Sequence, residues 1–355
     1  MNLNDLGYNS TLEDYRKEYN LQVFDIGRVI SEHKERYVVK TTEKEYDAEI
    51  IGNLRYTAIE RSDFPAVGDW VAISEYDENK ALIHHVFPRK TIIERQAVGK
   101  HGEKQIIATN IDYAFIVQAV DRDFNINRIE RYLAICNASK VAPIILLNKI
   151  DLIDDVQLSV MLDQLKKRIE KVPVITISNE TKKGIAQLKN RMEKGKTYCL
   201  LGSSGVGKST LLNNLSNKLV MQTNTISAST HKGRHITTHR ELVLLDNGTI
   251  VIDNPGMREV GVTDTAKGIE STFEKISELS NYCKFKDCKH ISEIGCAVLE
   301  SLEKGELDRS SYENYLKMER EKDHYEASIA EKRKKDKEFG KMYKNYKKLK
   351  KRDEY

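Results

Sequence analysis

The chain has 355 residues, which at roughly 100–200 residues per domain allows two or three domains. Hydrophobic residues make up 39% and charged residues 32%, with only five prolines; this composition is typical of a charge-rich globular protein and excludes collagen-like, mucin-like and wholly disordered chains. The formal net charge is only +4, but residues 331–355 carry twelve Lys or Arg against five Asp or Glu, which suits an anionic partner such as RNA.

No segment has the pattern of a membrane span or a secretion signal. No apolar run approaches the roughly 20 residues that a membrane-spanning helix needs, and the N-terminal stretch MNLNDLGYNSTLEDYRKEYN lacks an apolar signal core. We therefore expect a cytoplasmic protein without membrane contact. No sequence feature indicates an oligomer, so we expect a monomer.

Residues 1–92 are predicted to form a small β-barrel preceded by an N-terminal extension. The runs RYVVKTT, YDAEII, DWVAIS and ALIHHVF alternate with turn-rich pieces at about 8–12-residue spacing. About five such strands fit an OB-like barrel, a shape that often binds oligonucleotides. The pattern is also compatible with a barrel that serves only as a scaffold.

Residues 93–265 are predicted to form an α/β domain with a mostly parallel sheet. The strand runs YAFIVQAV, APIILLNK, VPVITIS and TYCLLG alternate with amphipathic helical runs. The strands ELVLL and TIVID flank Asp246-Asn247-Gly248, which is a hairpin turn signal. Residues 266–355 are predicted to form a helical domain with a Lys-rich end.

The stretch Asn148-Lys149-Ile150-Asp151 follows the strand APIILL and has the form N-K-x-D. A carboxylate at Asp151 can accept from both N1–H and the exocyclic amine of guanine, whereas adenine would leave that buried carboxylate unpaired. Ser178, at the end of VPVITIS, is a second candidate and is weak alone. The motif by itself also fits a helix-start turn, but beside a phosphate-binding loop it favours guanine.

A phosphate-binding loop lies between the strand TYCLLG and the helical run STLLNNLSNKL, in the context that G-x-x-x-x-G-K-[ST] requires. It consists of Gly202, Ser203, Ser204, Gly205, Val206, Gly207, Lys208, Ser209 and Thr210. Backbone N–H groups and the helix N-terminus favour a phosphate chain. Lys208 would reach the β- and γ-phosphates and Ser209 would ligate Mg²⁺. The sequence therefore predicts binding of a nucleoside triphosphate.

Asp253-Asn254-Pro255-Gly256 ends the strand TIVID and has the form D-x-x-G. Asp253 would hold Mg²⁺ and the Gly256 N–H would meet the γ-phosphate; a plain strand-ending turn is the alternative. In common GTPases N-K-x-D comes last, but here it precedes the phosphate-binding loop by about fifty residues. Because exchanging termini and loop tips leaves core contacts intact, this order indicates a circularly permuted G domain.

Three cysteines and a histidine cluster in the C-terminal region. Cys283, Cys288, His290 and Cys296 lie within fourteen residues. Zinc favours such a closed tetrahedral set in structural sites, and disulfides are disfavoured in a cytoplasmic chain. From the spacing alone, unliganded packing cysteines remain the alternative.

The basic segment 331–355 interleaves its Lys and Arg residues with Phe339, Tyr343 and Tyr346. Such a mixture suits phosphate neutralisation and base stacking on RNA. A solvated helical tail with no specific partner has the same composition, so this segment alone gives weak support for RNA binding.

The permuted motif order, joined to the cysteine cluster, resembles the bacterial ribosome-small-subunit-dependent GTPase A family (RsgA, also called YjeQ or YloQ). The resemblance covers nearly the whole chain and implies a multidomain α/β protein: an OB-like barrel, a circularly permuted P-loop G domain and a C-terminal helical zinc-binding module. It also implies zinc on the four clustered ligands, binding to the 30S ribosomal subunit and its 16S rRNA late in maturation, and ribosome-stimulated hydrolysis of GTP.

The resemblance further implies roles before the D-x-x-G segment. Many GTPases carry a Gln after D-x-x-G to orient the attacking water, but this chain has Met257 there. By resemblance, His235 is the candidate water-orienting residue, with an ordinary exposed loop residue as the alternative. Thr237 is the candidate Mg²⁺-sensing threonine, although Ile236 stands where many relatives have threonine and leaves that role open between Thr237 and Thr238.

Asn254 is a second departure, because D-T-P-G is the more usual form in that family. Its side chain is not needed for the backbone contact to the γ-phosphate, so we expect little consequence. With neither a Gln nor an arginine finger in place, we expect slow intrinsic turnover and strong stimulation by a partner.

Together these features predict a three-domain cytoplasmic GTPase, with domains at 1–92, 93–265 and 266–355, that converts GTP to GDP and phosphate. One alternative is an RNA-binding assembly factor that uses GTP only as an occupancy signal, with negligible turnover. A second is a P-loop ATPase or kinase, against which Asn148 and Asp151 argue.

Overall fold

The computed structural model of the protein describes residues 1–33, 36–96, 104–121, 124–216, 240–254, 266–327 and 334. Within them, five strands form an N-terminal barrel: β1 (Asp25–His33), β2 (Arg36–Lys40), β3 (Glu45–Ile50), β4 (Trp70–Asp77) and β5 (Lys80–Val86). Their order is β1-β2-β3-β5-β4, and β4 pairs back with β1. Val29, Val39, Val71 and Ile83 lie in its buried core. The barrel predicted from the turn spacing is confirmed.

The first twenty residues form a helical segment that covers one face of β4. Helix α1 (Ser10–Glu18) begins where the Asn9 side chain accepts a hydrogen bond from Leu12 N–H. Leu6 and Leu12 pack with Trp70 in a core separate from the barrel interior. The sequence predicts only an extension here, because a helix with a single buried residue leaves too sparse an apolar pattern to be recognised.

A hairpin that the sequence analysis did not anticipate contacts both the barrel and the α/β domain. Strand β6 (Ile92–Gln96) pairs with β7 (Lys104–Thr109). Ile93 is buried in the core of the α/β domain, and Thr109 N–H donates to the barrel carbonyl of Val67 at 3.0 Å. The domain boundaries expected from the sequence stay a prediction.

The α/β domain alternates strands and helices as predicted. Its strands are β8 (Tyr113–Ala119), β9 (Ala142–Asn148), β10 (Val174–Thr176), β11 (Thr197–Leu201), β12 (Glu241–Leu244) and β13 (Ile250–Asp253). Its helices are α3 (Ile126–Ala138), α4 (Asp155–Arg168), α5 (Ile185–Arg191) and α6 (Lys208–Ser216); the shorter α2 (Gly52–Thr57) follows β3 in the barrel domain.

The sheet order β10-β9-β8-β11-β13-β12 is parallel except for the β12–β13 hairpin. The turn predicted at Asp246-Asn247-Gly248 closes this hairpin, with Gly248 at φ +79°. Strands β9, β11 and β13 all present their carboxyl ends at one edge, which is where ligands bind in open α/β sheets. The motifs of the permuted chain therefore converge on one edge although their order in sequence is rearranged.

The C-terminal region consists of α7 (Ala266–Thr272), α8 (Glu274–Ser280), α9 (Ala297–Glu303) and α10 (309–327). It is tied to α3 by polar contacts: Arg131 forms a two-pronged ion pair with Glu321 at 2.6 and 2.8 Å, and buried Glu130 accepts a hydrogen bond from the Asn314 amide at 2.6 Å. None of the described helices combines the length and the hydrophobicity that a membrane-spanning helix requires.

Buried Arg28 holds the N-terminal segment, the barrel and the α/β domain together. Its guanidinium donates to the carbonyl oxygens of Leu6 at 2.7 Å, Gly68 at 3.2 Å and Asn110 at 3.1 Å. Burial lowers the pKa of Arg28 to about 10. Next to it, Ser31 of β1 pairs with Glu241 of β12, so the barrel and the α/β sheet are continuous.

Candidate functional site

The phosphate-binding loop leaves β11 and turns directly into α6. Gly202 has φ +148°, and a Cβ at this position would lie 2.4 Å from the carbonyl oxygen of Val117, so only glycine fits. The ammonium of Lys208 is buried within the loop and donates to the carbonyl oxygens of Gly202 at 2.8 Å and Ser203 at 2.7 Å. The loop thus holds a cation at its centre, as a phosphate site requires.

Lys208 and Asp253 form the charged centre of this edge. Burial lowers the pKa of Lys208 to about 8, an effect that nearby Asp253 opposes. Burial raises the pKa of Asp253 to about 6, while Lys208 and the hydroxyl of Ser209 favour its ionised form. Each group therefore carries its charge at a desolvation cost that an oppositely charged ligand or cation would offset.

The carboxylate of Asp253 fits a divalent cation. Among the described residues neither of its buried oxygens has a hydrogen-bond partner of good geometry, although the Ser209 hydroxyl is close enough to act on its pKa. Hard cations such as Mg²⁺ take oxygen ligands and are usually bound by one or two carboxylates together with substrate phosphates. Ser209 and Asp253 are thus the residues suited to hold Mg²⁺.

The N-K-x-D segment lies against the phosphate-binding loop. The Asn148 amide donates to the carbonyl of Val206 at 2.7 Å, and Lys149, in the left-handed region at φ +67°, forms an ion pair with Asp121 at 2.9 Å. A short hydrogen bond runs from the Ser178 hydroxyl to Asp151. One oxygen of Asp151 is therefore oriented by Ser178, which leaves acceptor capacity for a base.

Two asparagines of this site were missed by the sequence analysis. The Asn179 side chain donates to the carbonyl of Gly207 at 2.9 Å, and the Asn214 side chain donates to the carbonyl of Asn179 at 3.0 Å. The position of Asn179 directly after Ser178 is the one signal that could have drawn attention to it. Nothing in the helical run that contains Asn214 distinguishes it from a surface residue.

The described candidates of the nucleotide site, from Asn148 to Asp253, meet at one edge of the sheet. Gly256, His235 and Thr237, with the neighbouring Met257, Ile236 and Thr238, lie outside the described residues. Asn254, expected to be of little consequence, is buried, and its amide donates to Cys199 Sγ at 2.9 Å. Asn254 therefore anchors the end of β13 to the neighbouring strand β11.

Three of the four clustered ligand atoms have the separations expected of a tetrahedral site, and the fourth lies close to them. Cys283 Sγ lies 3.8 Å from Cys296 Sγ and 3.6 Å from His290 Nδ1, which is 3.4 Å from Cys296 Sγ; all four atoms, with Cys288, lie within 4.8 Å of one another. With Zn–S of about 2.3 Å and Zn–N of about 2.0 Å, a tetrahedral ion separates its ligands by about 3.8 Å for two sulfurs and about 3.5 Å for sulfur and nitrogen. The cluster therefore fits zinc.

The backbone of two of the cluster residues, His290 and Cys296, is held in place by neighbouring elements. His290 adopts φ +59°, which is uncommon for a side-chain-bearing residue, and the Tyr312 hydroxyl donates to its carbonyl at 2.6 Å. Cys296 stands at the N-cap of α9. Tyr312 of α10 thus holds the backbone of His290, and the start of α9 fixes the position of Cys296.

Curated relatives match along most of the chain. The small ribosomal subunit biogenesis GTPase RsgA 1 of Bacteroides thetaiotaomicron is 41% identical over 353 residues, covering 98% of both chains. The small ribosomal subunit biogenesis GTPase RsgA of Opitutus terrae is 40% identical over 333 residues, or 90% of both chains. The corresponding RsgA 1 protein of Listeria innocua is 44% identical over 296 residues, or 83% of both chains.

Solved structures support the same relationship. YjeQ from Thermotoga maritima superposes with a TM-score of 0.63 at 27% identity, covering 83% of this chain and 96% of that one. YloQ, described as a circularly permuted GTPase, gives a TM-score of 0.59 at 25% identity and covers 85% and 96%. The permuted order and the three-part architecture expected from the sequence are confirmed.

Two family models match the chain. A model for the ABC transporter matches residues 185–345; that match begins after Asn148, Asp151 and Ser178, so it contains the phosphate-binding loop that P-loop enzymes share but none of the candidates for base contact. The model for the RsgA GTPase matches residues 86–263, which include both the phosphate-binding loop and the candidates for base contact. On this match and on relatives about 40% identical along nearly its whole length, the chain belongs to the RsgA GTPase family.

Proposed function

We propose that the protein is a GTPase of small ribosomal subunit biogenesis that binds the 30S subunit and hydrolyses GTP to GDP and phosphate. The observation that carries this proposal is the identity of 41% with a small ribosomal subunit biogenesis GTPase over 98% of both chains. The geometry supports it, because Asp151, Lys208 and Asp253 converge on one edge of the sheet. The test is GTP hydrolysis with and without purified small subunits, which we expect to accelerate it.

In this proposal the described residues bind and orient the nucleotide. Asp151, oriented by Ser178, accepts from N1–H and the amine of guanine, and the loop N–H groups together with Lys208 hold the phosphates. Mg²⁺, held by Ser209 and Asp253, would supply charge neutralisation on the transferred phosphoryl group. By the family resemblance, we assign water orientation to His235, the γ-phosphate contact to Gly256 and Mg²⁺ sensing to Thr237.

We also propose that Cys283, Cys288, His290 and Cys296 hold one structural zinc ion. The segment between α8 and α9 contains little regular structure, and the four ligands meet around its centre. A closed Cys₃His set leaves no position for a substrate. The metal would therefore organise the segment rather than take part in hydrolysis.

Removal of zinc is expected to loosen the C-terminal region. Purified protein should contain about one zinc per chain, and Cys283→Ala should lose it and expose the segment 283–296 to proteolysis, because the remaining ligands no longer form a closed set. Metal analysis and limited proteolysis measure this. Cys136→Ala, at a cysteine buried in the α/β core, is the matched control and should keep its zinc. Full zinc in Cys283→Ala would contradict the assignment.

We propose that 16S rRNA is contacted by the barrel and by the C-terminal region. In the cluster segment, Tyr282 is 79% exposed, and Lys284 lies 5.5 Å above the ring of the partly exposed Phe285. Exposed aromatic rings beside lysines suit base stacking and phosphate contact. The basic segment 331–355, of which the structure describes only residue 334, adds positive charge further along the same C-terminal region.

We further propose a cytoplasmic monomer, in keeping with the sequence expectations. The alternative of an RNA-binding factor with negligible turnover would use the buried Lys208 and Asp253 only to bind GTP and Mg²⁺, so turnover is what distinguishes it from the proposed GTPase. The alternative of a P-loop ATPase or kinase would leave Asp151 facing the N1 acceptor of adenine. Both alternatives predict that GTP hydrolysis does not respond to small subunits.

A further inference from the structure

Asn179 makes contact with three separate parts of the nucleotide site. Its side-chain amide donates to the carbonyl of Gly207 in the phosphate-binding loop at 2.9 Å. Its backbone N–H donates to the side chain of Asn148 at 3.2 Å. Its backbone carbonyl accepts from Asn214 of α6 at 3.0 Å, and its side-chain oxygen is 3.4 Å from the same amide.

The phosphate-binding loop packs directly against the side-chain amides of Asn148 and Asn179. Gly207 has φ +96°, and a Cβ there would lie 2.4 Å from Asn148 Nδ2 and 2.7 Å from Asn179 Nδ2. Asn148 binds the carbonyl of Val206 and Asn179 binds the carbonyl of Gly207. The two side chains therefore donate hydrogen bonds to the two successive carbonyls that precede Lys208.

These contacts determine where the loop N–H groups point. A trans peptide directs its C=O and N–H to opposite sides, so a carbonyl held towards Asn179 turns the N–H of Lys208 away from it. The same reasoning links Asn148 to the N–H of Gly207. N–H groups of this loop are the donors for a phosphate chain. The carbonyl of Gly207 also accepts from Leu211 N–H at 2.9 Å, so Asn179 refines an orientation that the helix already begins.

We propose that Asn179 is a positioning residue for nucleotide binding: its amide fixes the phosphate-binding loop against the N-K-x-D segment, so that base and phosphates are held at a set separation. The inference rests on the proposed guanine-nucleotide function. In the proposed site Asp151, and not the Asn179 side chain, recognises the base. Loss of the Asn179 side chain should therefore weaken binding of the phosphates without changing the choice of base.

The test measures affinities for GDP, GTP, ADP and inosine triphosphate in Asn179→Ala, in Asn179→Asp and in the parent protein. Asn179→Ala should bind GDP and GTP about tenfold more weakly, because one hydrogen bond is lost. Asn179→Asp should lose more, since its carboxylate would face the Gly207 carbonyl. The GTP-to-inosine-triphosphate ratio, which reports the exocyclic amine of guanine, should stay at the parent value. Glu180→Ala, at the adjacent exposed residue, is the control and should match the parent.

The outcomes separate this inference from the function on which it rests. If the parent fails to prefer GDP over ADP, the proposed function is wrong. If the parent prefers GDP and both Asn179 variants bind it within about threefold of the parent, the inference is overturned. It is also overturned if the loss of affinity comes with a changed base ratio or with a fall of more than about 5 °C in the unfolding midpoint, because Asn179 would then only support the fold of the loop.

Discussion

Asp151→Asn is expected to change the preferred base from guanine to xanthine. Guanine presents two donors, N1–H and the exocyclic amine, whereas xanthine has a carbonyl oxygen in place of that amine. In the proposed binding mode the carboxylate of Asp151 would accept from both donors, whereas an asparagine amide offers one acceptor and one donor. We expect affinity for GTP to fall by about 10²-fold or more, because groups of the base and the side chain that become desolvated in the complex would be left unpaired.

The hydrogen bond from Ser178 is expected to orient the new side chain in Asp151→Asn. The Ser178 hydroxyl donates to Asp151, so the oxygen of the new side chain should take the same place and the new amide should face the ligand. Xanthosine triphosphate should then bind the variant with an affinity close to that of GTP for the parent. The measurement is competition of both nucleotides, with ATP as a third ligand, against a labelled diphosphate.

The control for the base change is Asp155→Asn, at an exposed acidic residue in the first turn of α4. It should keep the guanine preference, since its side chain lies outside the site. If Asp151→Asn kept the affinity of the parent for GTP, Asp151 would not contact the base. The guanine assignment would then be wrong.

Lys208→Ala is expected to abolish hydrolysis both with and without small subunits. The Lys208 ammonium is buried among loop carbonyls, 2.7–2.8 Å from two of them. Its positive charge also favours the ionised form of the Asp253 carboxylate. Without it, phosphate charge and the Asp253 carboxylate would repel each other in a desolvated site. We expect kcat to fall by about 10³-fold, the upper range for the loss of one stabilising group. Single-turnover hydrolysis of bound GTP measures this.

His235→Ala provides the contrast to that variant. If His235 orients the attacking water, this substitution should leave GDP affinity at the parent value and remove about 10²-fold of the subunit-stimulated rate. Lys208→Ala should lose GDP affinity as well. Stimulated turnover in His235→Ala within about threefold of the parent would refute the role of His235. A folded Lys208→Ala with parent turnover would refute the phosphate site.

The described residues of the predicted nucleotide site meet at one sheet edge because their motifs constrain local geometry; their roles stay a prediction. A glycine-rich loop between strand and helix has few possible conformations, so the position of Lys208 follows from the sequence. The separate motifs meet because parallel strands end at one edge. The spacing of Cys283, Cys288, His290 and Cys296 allows a common metal centre but does not exclude packing cysteines; it is the fold that brings the four ligand atoms within 4.8 Å of one another.

The parts that sequence reasoning missed depend on contacts between distant segments. Asn179 and Asn214 are ordinary polar residues until the fold brings α6 against the loop that follows β10. The N-terminal helix has few apolar residues of its own and is held by Trp70. Arg28 resembles a surface arginine in the sequence, yet it is buried because three carbonyls from three segments surround it.

The most direct test of the account is GTP hydrolysis by the parent protein at saturating Mg²⁺, with and without purified small ribosomal subunits and with ATP as the control. The account predicts slow turnover of GTP alone, at least about tenfold stimulation by small subunits, no comparable stimulation by large subunits, and no stimulated ATP hydrolysis. Slow GTP turnover that small subunits leave unchanged would contradict it, and the protein would then be a guanine-nucleotide-binding factor whose partner lies elsewhere.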